Sequence, residues 1–117
     1  MSQPAATTAP PPAKPDPVRL LWALGDAVRL GIVRELAAGQ ALNVQMLAAR
    51  LRRDPDLISK HLRVLRDCGA IQRVRPPETD GRQQFHQLPE NSWHPLPEGG
   101  AAVDWGVALL RFPAAQG

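Results

Sequence analysis

The chain has almost no cysteine. Cys68 is the only one, so no disulfide can form within the chain, and a reducing cytoplasm is the expected setting. It has no long apolar run either. Nothing approaches the roughly 20 residues that a membrane-spanning helix needs, and the Ala/Pro/Thr-rich N-terminus lacks the apolar stretch of a signal peptide. There is no phosphate loop, zinc-hydrolase motif, nucleophile elbow or internal repeat, so neither an enzyme nor a bound cofactor is expected. Ser59-Lys60-His61 is not a catalytic set, because consecutive helical residues point about 100° apart and cannot converge on one atom.

What is present is one small domain's worth of sequence with an uneven charge. Over 117 residues, 14 basic against 11 acidic side chains leave a net +3, which fits an anionic partner without requiring one. Residues 50–82 carry nine basic residues against five acidic ones, a local excess larger than that of the whole chain. Residues 1–15 carry five prolines and little to bury, and they read as a disordered arm. Residues 16–88 carry the periodic patterns of a folded domain. Residues 89–117 begin as a proline-rich loop, then alternate large and small side chains from Val103 to Phe112. That alternation predicts one strand, used in packing or dimerisation.

Four helix starts are visible. Asp16-Pro17 opens a first helix that runs to Leu24, and its stretch Leu20-Leu21-Trp22-Ala23-Leu24 is apolar on more than one face. Such a helix needs cover on two sides, and a second copy of the chain could supply one. Asp26 caps a second helix, predicted over 27–38, with Leu30, Val33, Leu36 and Ala37 inward and Gly31 at a close helix contact. Asn43 caps a third over 44–51. Asp54, with Pro55 at the first helical position, opens a fourth that Gly69 ends. In this last helix Ile58, Leu62 and Leu65 form an apolar stripe, which turns Asp56, Ser59, Lys60, Arg63 and Arg66 to the opposite side.

Two short helices joined through Arg52-Arg53, the second with a polar, basic outer face, form a helix-turn-helix. The period then changes to two around Ile71, Arg73 and Arg75. Asp80-Gly81 marks a hairpin turn, and 83–88 gives the return strand with Phe85 as an anchor. The predicted fold is mainly α with a small β-hairpin wing: a winged helix-turn-helix with a three-helical core. A capped helix bearing hydroxyl, lysine and arginine suits a DNA major groove, while Arg73, Arg75 and Arg82 on the hairpin suit the flanking phosphates.

Three segments resemble the ArsR-like winged-helix regulators. They are Leu24-Gly25-Asp26-Ala27-Val28-Arg29-Leu30-Gly31-Ile32-Val33, Leu42-Asn43-Val44-Gln45-Met46-Leu47-Ala48, and the run from Ile58 through Ser59-Lys60-His61-Leu62 to Gly69-Ala70-Ile71. The resemblance covers about residues 17–88. It implies a homodimeric, sequence-specific transcriptional regulator, expected to act as a repressor on an inverted-repeat DNA operator. Asp56, Ser59, Lys60 and Arg63 would lie near base edges or their phosphates, and Asn43, Gln45 and Arg53 complete the candidate DNA-facing set. Family members that sense thiophilic metals carry a cysteine pair where this chain has Asn43 and Gln45, so no metal site is expected. The family's long last helix is missing, which leaves the first helix and the 103–112 segment for dimer contact.

His61 and Cys68 read as residues of the fold, and Trp22, Trp93 and Trp105 as packing or interface groups. An alternative function is a protein-interaction module that keeps the fold but has lost DNA binding, since the Asp56 carboxylate repels phosphate unless it accepts a hydrogen bond from cytosine. The sequence names no effector.

Overall fold

The computed structural model describes residues 14–76 and 83–114. Within them the order is α1 (Pro17–Leu24), α2 (Ala27–Leu36), α3 (Val44–Leu51), α4 (Pro55–Asp67), β1 (Gln72–Val74), β2 (Phe85–Gln87), β3 (Trp93–Pro95), β4 (Ala101–Asp104) and β5 (Leu109–Phe112). This is the winged helix-turn-helix anticipated above, with one addition at its C-terminal end.

Each helix starts where a short polar side chain satisfies amide groups that the helix leaves open. Asp16 accepts from the Arg19 amide, Asp26 from Val28 and Arg29, Asn43 from Met46, and Asp54 from Asp56 and Leu57. Helix α2 ends at Leu36, slightly before the expected Ala38, as Ala37 caps it and Gly39 turns the chain with φ +91°. Between α3 and α4 the turn has no glycine, so Arg52 takes the left-handed conformation itself, with φ 56° and ψ 50°. Gly31 lies where a Cβ would meet Leu51 at 3.3 Å, which is the close α2–α3 approach anticipated for it.

The core is one cluster. Leu20, Ile32, Leu36, Leu47, Ile58 and Leu65 are fully buried within it. Each such side chain contributes about 1.5–3 kcal/mol relative to exposure. The inner face of α2 includes Ile32, outside the stripe expected from the sequence, whereas Leu30 is only partly buried.

The wing is an antiparallel pair with Gln72 opposite Gln87, Arg73 opposite His86 and Val74 opposite Phe85. A single bridge adds Leu42: its amide donates to the His86 carbonyl at 3.0 Å and its carbonyl accepts from the His86 amide at 2.8 Å. The expected Asp80-Gly81 turn lies outside the described residues.

The C-terminal segment corrects two expectations. The stretch read as irregular loop contains β3, and the segment read as one strand is two, β4 and β5, paired with β3 in the order β3-β4-β5. Gly106, with φ +89°, makes the reversal between them, and its amide donates to the Asp104 carboxylate at 2.8 Å. The sheet is part of the domain: Ala101, Val103, Trp105 and Phe112 belong to the common core. The Trp105 indole donates to the Ala70 carbonyl at 3.0 Å, which ties the sheet to the chain leaving α4. Of the N-terminal arm, 1–13 lies outside the described residues. Pro15 sits beside Gly69, and Lys14 sits over Gly106.

Candidate nucleic-acid interface

The buried stripe of Ile58, Leu62 and Leu65 fixes how α4 is rotated. Its outer side therefore presents Asp56, Ser59, Lys60 and Arg63, all exposed. Among the described residues the side chains of Ser59, Lys60 and Arg63 make no hydrogen bond or ion pair, so their donors are open to a ligand. Asp56 stands in the first turn, where the partial positive end of the helix dipole favours its negative charge. Gln45 on α3, Arg53 in the turn, and Arg73 and Arg75 on and after β1 are exposed as well. Arg82 lies outside the described residues.

Two expectations about this surface change. Asn43 is only 8% exposed, and both ends of its amide are occupied. Its Oδ1 accepts from the Met46 amide at 2.9 Å, and its Nδ2 donates to Gln83 Oε1 at 2.8 Å. Asn43 joins α3 to the wing and is not a free contact residue. Arg66 also leaves the outer face: it is half-buried and donates from Nη1 to His86 Nε2 at 2.9 Å.

The Arg66–His86 pair was invisible in the sequence. His86 is 1% exposed. Burial, with Arg66 and then Arg73 adding repulsion, pushes its imidazole down to about 4, so at neutral pH it is uncharged. A guanidinium only donates, hence Nε2 accepts and the ring proton sits on Nδ1. That nitrogen is buried without a partner among the described residues. Arg66 is itself lowered from its ordinary value by burial and by Arg73. The pair clamps β2 against the last turn of α4, which sets the wing relative to the helix.

Behind the helix, His61 is held and not offered to a ligand. Arg29 Nη1 donates to His61 Nδ1 at 3.1 Å, and His61 Nε2 lies 3.9 Å from the Asp26 carboxylate. Arg29 also donates from Nε to the Ala23 carbonyl at 2.6 Å and stands 5.0 Å over the Trp22 ring. The backbone amide of Arg29 is the main cause that holds the Asp26 carboxyl below its usual range. Cys68 is buried, with its thiol donating to the Leu65 carbonyl at 3.5 Å.

Two exposed apolar groups add to the surface. Met46 and Leu57 occupy the first turns of α3 and α4 and are 39% and 38% exposed. The sequence gives them no role, and the observed rotation of the two helices turns them outward. A larger apolar face lies on α1, where Val18, Leu21 and Trp22 are 74%, 57% and 66% exposed. Among the described residues no helix is long and apolar enough to cross a membrane, and no three His, Cys, Asp or Glu side chains group to hold a metal ion.

Comparison with known proteins gives the same fold. No family model matches the chain, and no curated protein sequence matches it. Among solved structures it is similar to HlyU from Vibrio cholerae, with 28% identity over 64% of this chain and 76% of that one, at a TM-score of 0.56. It is also similar to the transcriptional repressor BigR from Xylella fastidiosa, with 29% identity over 62% and 67% of the two chains and a TM-score of 0.53. The homodimeric winged helix-turn-helix domain of Mb0332 from Mycobacterium bovis, described as a possible ArsR-family regulator, shares 24% identity. That match covers 61% of each chain with a TM-score of 0.53.

Proposed function

We propose that this chain, an ArsR-like winged helix-turn-helix protein, is a homodimeric, sequence-specific DNA-binding transcriptional repressor. The observation that carries this reading is the outer face of α4. Ser59, Lys60 and Arg63 are exposed and, among the described residues, unpaired on a helix whose rotation is fixed by its buried stripe. In a major groove, Arg63 and Lys60 would donate to guanine or phosphate, and Ser59 to either. Met46 and Leu57 are suited to thymine methyl groups, while Arg53, Arg73 and Arg75 supply phosphate contacts that set the register. Gln45 completes the set, and Asp56 can accept from a cytosine amino group.

The dimer rests on α1. Val18, Leu21 and Trp22 recur at i, i+3 and i+4, so they form one apolar stripe facing solvent, which a second copy would cover. A dimer reads an inverted repeat with half-sites about 10 bp apart. A DNA partner fits a cytoplasmic protein that acts as a regulator and not as an enzyme.

The test is selection of bound sequences from a random duplex pool, followed by titration at moderate salt. An enriched inverted repeat bound at least about 10³-fold tighter than random duplex is expected. Equal binding of operator and random DNA would overturn the reading and favour the protein-interaction module. Sedimentation of Leu21→Glu tests the dimer: it should yield monomer that still folds.

A further inference from the structure

Between α2 and the C-terminal sheet lies a groove of about 950 Å³. One wall is Leu30 and Arg34 of α2 with Ala37 and Ala38 just after it, and the other is built from Trp93, Leu110 and Phe112. Its size falls within the range of small-molecule sites, about 300–1,000 Å³. Its lining is mostly apolar with two guanidinium groups, and these differ. Arg111 is already neutralised by Glu98 at 2.5 Å, whereas Arg34 makes no side-chain hydrogen bond or ion pair among the described residues. A single free positive charge on an aromatic-lined apolar wall selects one chemistry.

We propose that this groove is an effector site for a small aromatic carboxylate, the ring packed against Trp93, Leu110 and Phe112 and the carboxylate paired with Arg34. Charge complementarity and size name the occupant: a neutral apolar ligand would leave the Arg34 charge partly desolvated and unpaired, and a second polypeptide would have to enter a concave space lined on both sides. The groove also has a route to the DNA-facing elements. Trp93 lies against Gly39, where a Cβ would come within 2.7 Å of its indole nitrogen. The Gly39 carbonyl in turn accepts from Gln87 Nε2 on β2 at 3.3 Å. The same α2 packs on α3 through Gly31 and Leu51. A ligand that shifts Trp93 therefore pushes on the base of the wing. Binding stands independently, and only its effect on DNA rests on the regulator reading above.

The probe is 1-naphthoate, with 1-naphthamide as its neutral counterpart, titrated calorimetrically into the full chain without DNA. Naphthoate should saturate at one per chain. Arg34→Gln should weaken it about tenfold, which is about 1.4 kcal/mol, and leave naphthamide unchanged. Ala38→Glu, at an exposed position, should also weaken naphthoate, and thermal unfolding checks that both variants fold. Absent saturation, an unchanged affinity in Arg34→Gln, or equal binding of the amide overturns the site. If Ala38→Glu instead splits a dimer in sedimentation, the groove is an interface between copies and the proposal fails. A several-fold change in operator affinity with saturating naphthoate is expected; naphthoate that binds without changing it removes the effector role. Should the chain bind no operator at all, the calorimetric result still decides the site, and the regulator reading alone falls.

Discussion

The two ends of the described chain hold themselves together in different ways. From α1 to α4 each helix carries its own start signal, and its inner stripe follows from a 3.6-residue period. The C-terminal sheet has strands of three or four residues, and its place is set by distant partners, Trp105 on Ala70 and Trp93 against Gly39. The helical part is specified by neighbours in sequence and the sheet by neighbours in space. Yet the two share one core, so the sheet should behave as part of the domain's stability.

The sharpest way to break that comparison is Trp105→Ala. It removes a buried ring and orphans the Ala70 carbonyl, and should cost about 3–5 kcal/mol. Denaturant unfolding should stay a single transition; a separate early transition would show that the sheet is an independent appendage. The next effect is on the wing. Because His86 falls to about 4 in the folded protein, the unfolded chain takes up its proton first on acidification. Stability is then complete above about pH 6.5 and is lost toward pH 4, by up to roughly 3 kcal/mol. His86→Gln should flatten that slope in urea melts taken across the interval.

On DNA, Lys60→Ala and Arg63→Ala should each cost about 1–3 kcal/mol on the selected operator and relax its sequence preference. Arg75→Ala should weaken all sequences alike and lower the salt slope by about 1. Identical behaviour of the three variants would mean that α4 touches only phosphates. The smallest effect is expected in the turn. Arg52→Gly relieves the left-handed backbone at the α3–α4 junction and should raise stability by a few tenths to about 1 kcal/mol in thermal melts.

This contrast also explains what could be read from residues alone. Asp16, Asp26, Asn43 and Asp54 declare the helix starts locally, and the stripe of Ile58, Leu62 and Leu65 was enough to turn Ser59, Lys60 and Arg63 outward. The same reasoning failed for Asn43 and Arg66 as surface groups, because their partners, Gln83 and His86, lie across the wing and leave no periodic signature. It failed for the tail because Pro95 and the glycines around it resemble loop, and only pairing with β4 makes β3 a strand. The groove shares that origin: α2 supplies one wall in plain view, but the other exists only once the sheet has docked.

One small feature carries further than its size. The two hydrogen bonds between Leu42 and His86 join the residue just before the α3 cap to the middle of the returning wing strand. They close the backbone into a ring that encircles the helix-turn-helix, much as a crosslink would. Everything from Asn43 to Phe85 lies inside that ring, so the closure acts with the Arg66–His86 clamp to hold the angle between α4 and the wing. Lengthening the chain between Val74 and Phe85 should therefore change the reach of the wing while leaving the seating of α3 and α4 as it is.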